Sequence, residues 1–194
     1  VPGAAGGNGN AVTLTQNGNL LGSGNQTNLT PLIQAWSTGG NGGAAQQIFG
    51  RGGAAGPVTV TLNGSTVTSG DRFGGLWARS LGGKAGDGGT REELATLDTG
   101  GNAGLVSVTL SADSTVTTHG TDAPAVLAES RGGDGGFRGS GTFYSKPFVS
   151  DGGVGADARI TAAGTIDVAG AGAPAIVVQS IGCLLYTSDA ADDT

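Results

Sequence analysis

The chain has one cysteine and one histidine in 194 residues, and only 12 % of it is charged. A single cysteine, Cys183, excludes a disulfide scaffold and a site built from several thiolates. A metal centre or catalytic dyad at the one histidine, His119, would need partners, and only Asp113 and Asp122 stand near it. The 9 basic residues form no cluster, which excludes a surface that tracks nucleic-acid phosphates. No apolar run approaches the roughly 20 residues of a membrane span, so no part of this segment is expected to insert into a bilayer. No window carries an apolar stripe of helical period long enough for a core helix. Gly82-Gly83-Lys84 and Gly88-Gly89-Thr90 contain the letters of a phosphate loop but not their order, and no helix follows to receive a phosphate.

What is abundant is glycine, 41 residues, about three times the usual share. Disorder does not follow, because disordered chains combine low hydrophobicity with high net charge. Here 37 % of the residues are hydrophobic, and Val, Ile, Leu and Thr fall in short regular runs with glycine as punctuation between them. Those runs repeat. Copies span about 11–56, 57–104, 105–155 and 156–182. The glycine closing the second run recurs at Gly70, Gly120 and Gly170, and the serine closing the third at Ser80, Ser130 and Ser180. The first copy is looser, with three extra residues between Gly24 and Ser37.

Each copy begins with an alternating β-branched run such as Val58-Thr-Val-Thr-Leu62. A second run such as Thr165-Ile-Asp-Val168 and a third such as Ala175-Ile-Val-Val-Gln-Ser180 follow. Period-two alternation marks half-buried strands, and three short strands are the content of one coil of a parallel β-helix. One coil cannot bury its inward face alone, whereas stacked coils build a continuous apolar column. The sequence therefore predicts an all-β, parallel β-solenoid of about four coils over residues 1–182. Its glycine-rich insertions, 83–104 and 132–155, are expected to leave from one corner and line one face.

The last twelve residues, Cys183-Leu-Leu-Tyr-Thr-Ser-Asp-Ala-Ala-Asp-Asp-Thr194, share nothing with this pattern. They resemble a translated sequencing adapter and are set apart from the fold. Removing Asp189, Asp192 and Asp193 takes the acidic residues from 15 to 12 and, against 9 basic ones, the net charge from −6 to −3. Because the chain opens on Val1-Pro-Gly without a signal sequence, it is expected to be an internal fragment of a longer protein.

Gly170-AGAPAIVVQSIG-Gly182 resembles a motif of autotransporter passengers, G-x-x-A-x-A-I-x-x-Q-S-I-G-G, and the stretches from Gly120 and Gly70 are degenerate versions of it. The resemblance covers 11–182. It implies a non-catalytic structural or adhesive stalk on the Gram-negative cell surface, anchored by a C-terminal outer-membrane barrel. The partners it implies are host or neighbouring-cell surface molecules. Glycine tracts such as Gly39-GNGGAA-Ala45 also look like those of certain mycobacterial surface proteins, but here they alternate with Val/Thr strands, which favours the autotransporter.

No catalytic residue, metal ligand set or cofactor is assigned. Gly152-Gly-Val-Gly-Ala-Asp157 fits the first half of a calcium β-roll repeat, yet Arg159 takes its apolar position and no tandem copy follows. A polysaccharide-cleaving β-helix would need paired carboxylates. The candidates are Asp71 with Asp122 and Asp113 with Asp167, while Glu92 and Glu93 lie in a polar loop; all read as exposed turn residues. Trp36 and Trp77 fall in third strands and are expected to share a face but not a rung. One insertion concentrates Phe137, Phe143, Tyr144 and Phe148 and is the candidate contact loop.

Overall fold

In a computed structural model of the chain, the alternating runs wind into four stacked coils; residues 3–44, 50–87, 99–138 and 148–182 are described, with 138, 148 and 149 as backbone only. The first coil holds β1 (Val12–Gln16), β2 (Leu20–Ser23) and β3 (Thr30–Thr38). The second holds β4 (Val58–Leu62), β5 (Ser65–Ser69) and β6 (Phe73–Leu81), and the third β7 (Val106–Leu110), β8 (Thr115–His119) and β9 (Val126–Arg131). A two-residue antiparallel ladder of β10 (Phe137–Arg138) and β11 (Phe148–Val149) comes next. The fourth coil is β12 (Ala158–Ala162), β13 (Thr165–Ala169) and β14 (Ile176–Ile181).

Equivalent strands pair in parallel, giving three four-stranded sheets in the orders β1-β4-β7-β12, β2-β5-β8-β13 and β3-β6-β9-β14. This is a parallel β-solenoid of four coils. The register keeps like over like. Val12, Val58, Val106 and Ala158 form one rung, and Ile33, Leu76, Val126 and Ile176 another. The extra residues of the first copy are absorbed in the turn between β2 and β3, where Thr30 pairs with Phe73 while Ser23 pairs with Ser69. Inward residues of the middle coils are sealed from water: Val58, Val60, Leu62, Leu76, Val106, Val108, Val116 and Val126. Each such side chain contributes about 1.5–3 kcal/mol by leaving water.

The glycine-rich insertions run from the third sheet of one coil to the first sheet of the next. Their described parts form a second packed layer in which backbone stacks on backbone. Segments leaving the third sheet (39–43, 82–86, 132–136) make one row, and segments returning to the first sheet (3–9, 50–56, 99–104, 150–156) make the other. Amides that bond along the stack recur every third residue: Gly52 and Ala55 donate to the carbonyls of Thr99 and Asn102, and Gly82 and Ala85 to those of Arg131 and Asp134. The next residue of each triplet crosses between rows. Gly53 donates to Gly40, Gly83 to Gly53, Gly101 to Gly83, Gly133 to Gly101 and Gly153 to Gly133, in one zigzag through the stack. A three-residue repeat without strand geometry is that of the polyproline II helix, whose backbone groups all point outward to neighbours.

Such close rows leave no room for side chains. A Cβ built on Gly101 would lie on the carbonyl oxygen of Gly53, and one on Gly133 on that of Gly83. The third residue of a triplet lies on the outer side of the layer, and at four points its amide is met by an Asn or Asp from the preceding copy. Asn8 Oδ1 accepts from Ala54 N–H at 2.9 Å, Asn41 Oδ1 from Lys84 at 2.9 Å, Asp87 Oδ1 from Phe137 at 3.0 Å and Asn102 Oδ1 from Val154 at 3.1 Å. Each of these four amides thus has a side-chain partner in the preceding copy.

Candidate functional site: the outer faces of the solenoid

The serine that marks each copy has a defined task. Ser80 Oγ donates to the Gly56 carbonyl at 2.9 Å and accepts from the Gly104 amide at 2.7 Å. Ser37 stands between Asn10 and Gly56, and Ser130 between Gly104 and Ala156, in the same way. Ser180 Oγ donates to the Ala156 carbonyl at 2.8 Å. The hydroxyl column therefore stitches the third sheet to the returning glycine row. A serine is required there because it is short and can donate and accept at once.

On the opposite side of the same strands the rungs vary. Trp36, Arg79, Glu129 and Gln179 occupy one rung, and Gln34, Trp77, Leu127 and Val177 the adjacent outward one. The two tryptophans thus share a face two residues apart in register, as expected. Trp36 is 44 % exposed, whereas Trp77 is buried. Arg79 links its neighbours. Its guanidinium carbon lies 5.4 Å from the Trp36 ring centroid, and its Nε and Nη2 each reach Glu129 Oε2 at 2.6 Å. Arg131 Nε approaches the other carboxylate oxygen at 3.8 Å. Glu129 is only 5 % exposed, and the pairing offsets the cost of taking its carboxylate out of water; removing one partner of a buried pair costs about 3–5 kcal/mol. This ion pair and its indole neighbour were not legible in one dimension, because Arg79 and Glu129 are 50 residues apart and meet only through the register.

Of the carboxylates weighed for acid–base work, Asp71 bonds the backbone of the next coil. Asn25 Oδ1 accepts from the Asp71 amide at 3.0 Å, and Asp71 Oδ1 accepts from the Thr121 amide at 2.9 Å, a ladder that joins the turns of three coils. Asp122 and Arg72 sit at left-handed φ of 54° and 57° in these turns, and Gly172 takes φ 69° at the equivalent point of the fourth coil. Asn25, Gln26, Asp71, Arg72, Thr121 and Asp122 line a shallow depression of about 310 Å³. Asp167 pairs with Thr117 in the second sheet, while Asp113 lies in the turn before β8, so the two do not share a rung. His119 pairs in register with Ser69 and Ala169 and is exposed.

Asp157, at the end of the half calcium repeat, is exposed and gives its carbonyl to the Val106 amide. Among the described residues no three His, Cys, Asp or Glu side chains converge to hold a metal ion. Glu92, Glu93, Phe143 and Tyr144 lie outside the described residues. Of the candidate contact loop, Phe137 is 52 % exposed on β10, and the Phe148 backbone pairs with Arg138 on β11.

Among the described residues, Asp87 has a shifted acidity. The Phe137 amide donated to Asp87 holds its carboxyl below the ordinary value, with Lys84 Nζ at 2.9 Å acting the same way.

The outer face of the first sheet carries two hydroxyl-rich columns, Thr13-Thr59-Ser107-Arg159 and Thr15-Thr61-Thr109-Thr161. Comparison of the chain with protein-family models, curated proteins and solved structures returned no match.

Proposed function

We propose that this chain is a non-catalytic, adhesive and structural segment of a surface-displayed autotransporter passenger. One observation carries the reading: the inward rungs of the third sheet repeat while its outward rungs change. Inside run Ile33-Leu76-Val126-Ile176, Ala35-Ala78-Ala128-Val178 and Ser37-Ser80-Ser130-Ser180; outside, the rung of Trp36, Arg79, Glu129 and Gln179 is different chemistry at each level. A column that keeps its interior and varies its exterior is a scaffold for presentation. The Gly-Ala-Pro-Ala-Ile-Val-Val-Gln-Ser-Ile-Gly stretch from Gly172, which carries the likeness to passengers, supplies the turn, the third strand and the serine stitch. In this reading rigidity comes from the stacked backbone, contact comes from outward side chains and from the loop that begins at Phe137, and a C-terminal barrel holds the protein in the outer membrane. The partners are molecules on host or neighbouring cells.

The test is display. Placed between a secretion signal and an autotransporter barrel, the chain should reach the surface of intact Gram-negative cells, bind antibody there and leave a protease-resistant core. Cells carrying it should adhere to host or sister cells more than cells carrying the barrel alone. Retention inside the cell, or display without any gain in adhesion, contradicts the proposal.

A further inference from the structure

At the corner between the second and third sheets, two polar columns run side by side through consecutive coils. One is Asn25, Asp71 and Thr121, each joined to the next by an Oδ1 that accepts a backbone amide. The other is Gln26, Arg72, Asp122 and Gly172. Its alignment is set by the amides of Gln26, Arg72 and Asp122, which donate to the carbonyls of Asp71, Thr121 and Ala171. The six side chains from the first three coils line the depression of about 310 Å³, a volume at the lower end for small-molecule sites.

Two features of this corner go beyond what a turn needs. Arg72 and Asp122 hold left-handed φ of 57° and 54°, where the fourth coil has Gly172 at 69°. That backbone suits glycine and strains a residue with a Cβ, Asp less than most. Glycine therefore satisfies the turn, and neither the guanidinium nor the carboxylate is required to make it. The charges also stay apart: among the described residues Arg72 forms no ion pair with Asp71 or Asp122. Arg72 Nη1 donates to the Thr27 carbonyl at 2.9 Å, and Asp71 Oδ1 takes the Thr121 amide. One backbone contact thus fixes each group, and the rest of each residue is exposed.

We propose that this depression binds a neutral sugar through adjacent ring hydroxyls. Arg72 opposes a bare cation there, and the two carboxylates oppose an anion. A hydroxyl donates and accepts at once, so a sugar ring can donate to Asp71 and Asp122 while it accepts from Arg72 and Asn25 Nδ2. Groups already fixed by backbone bonds lose little freedom on binding. The site supplies the chemistry of one contact in the adhesive reading, and rests on that reading only for which cell bears the sugar. Sugar binding by the purified chain without adhesion of displaying cells would contradict the adhesive reading alone.

The test is titration of the purified chain with methyl glucoside, methyl galactoside and methyl mannoside, followed through the backbone amides by NMR. At least one should shift the amides of Asp71, Arg72, Thr121 and Asp122, with a Kd on the order of 1 mM, as a few exposed hydrogen bonds give. The uronic acid of the same ring, which sets a third carboxylate against Asp71 and Asp122, should bind more weakly. Arg72→Gly and Asp122→Gly should each weaken binding about tenfold, the loss of one charge-assisted bond. Both should melt at or above the temperature of the parent, since glycine relieves the left-handed φ. Arg72→Asn, whose side chain tolerates the same φ, tests the point again should glycine loosen the turn.

Amides of these four residues that do not move with any of the three sugars up to about 100 mM, a hundredfold above that Kd, overturn the proposal. Tighter binding of the uronic acid does so as well, because it would make Arg72 the centre of an anion site. So do Arg72 and Asp122 variants that keep the affinity of the parent, which would place the sugar elsewhere on the solenoid.

Discussion

Val108 and Gly101 stand close together in the chain, and both are buried, yet by opposite means. Val108 is sealed because its side chain fills the column between Val60 and Ile160. Gly101 is sealed because it has no side chain, so that the backbones of Gly53 and Gly83 can close on it. The sheet half gains stability from apolar area, a non-directional quantity that tolerates exchange among Val, Ile and Leu. The glycine half gains it from backbone hydrogen bonds at a spacing that tolerates no Cβ. The two halves should therefore respond in opposite ways to the same chemical change, the addition or trimming of one small group.

The largest effect is expected at Gly101. Gly101→Ala should destabilise by about 3 kcal/mol or more, since overpacking here presses on backbone that cannot rotate away. Gly7→Ala, with open space where its Cβ would go, should leave the urea midpoint unchanged; equal effects at the two sites would dissolve the distinction. At the seam, Ser80→Ala strands the Gly56 carbonyl and the Gly104 amide and should cost about 2 kcal/mol in the same melt.

In the sheet half, Thr118 points inward and its hydroxyl has no partner among the described residues. Thr118→Val keeps the shape, removes the stranded hydroxyl and should raise stability by about 1 kcal/mol. The smallest effect is a pH dependence at Asp87. Its folded pKa is depressed below 3.8, so its contribution is complete above that value and is lost as pH falls through the lower, folded one. Asp87→Asn should flatten that part of an acid-denaturation curve and leave stability at neutral pH little changed.

The strands were legible because period-two alternation is a side-chain signal, and Gly70, Gly120, Gly170 and Ser80, Ser130, Ser180 set the spacing between copies. Register then placed Trp36 and Trp77 on one face. The glycine layer was not legible in the same way, because an extended three-residue helix built from glycine has no side chains to alternate. Its trace was the polar residue after a glycine, as at Asn41, Asp87 and Asn102, which reads as loop composition until the Oδ1 bonds to the next copy are seen. The Arg79–Glu129 pair was hidden by sequence distance alone.

The most direct measurement of the central claim is amide hydrogen exchange followed residue by residue in the tracts 82–86 and 99–104. The account predicts that Gly83 and Gly101, whose amides bond across the rows, exchange as slowly as Val108 in the sheet core. Exchange of those glycines at open-chain rates while Val108 stays protected would contradict it, and the tracts would then be loops on a β-solenoid.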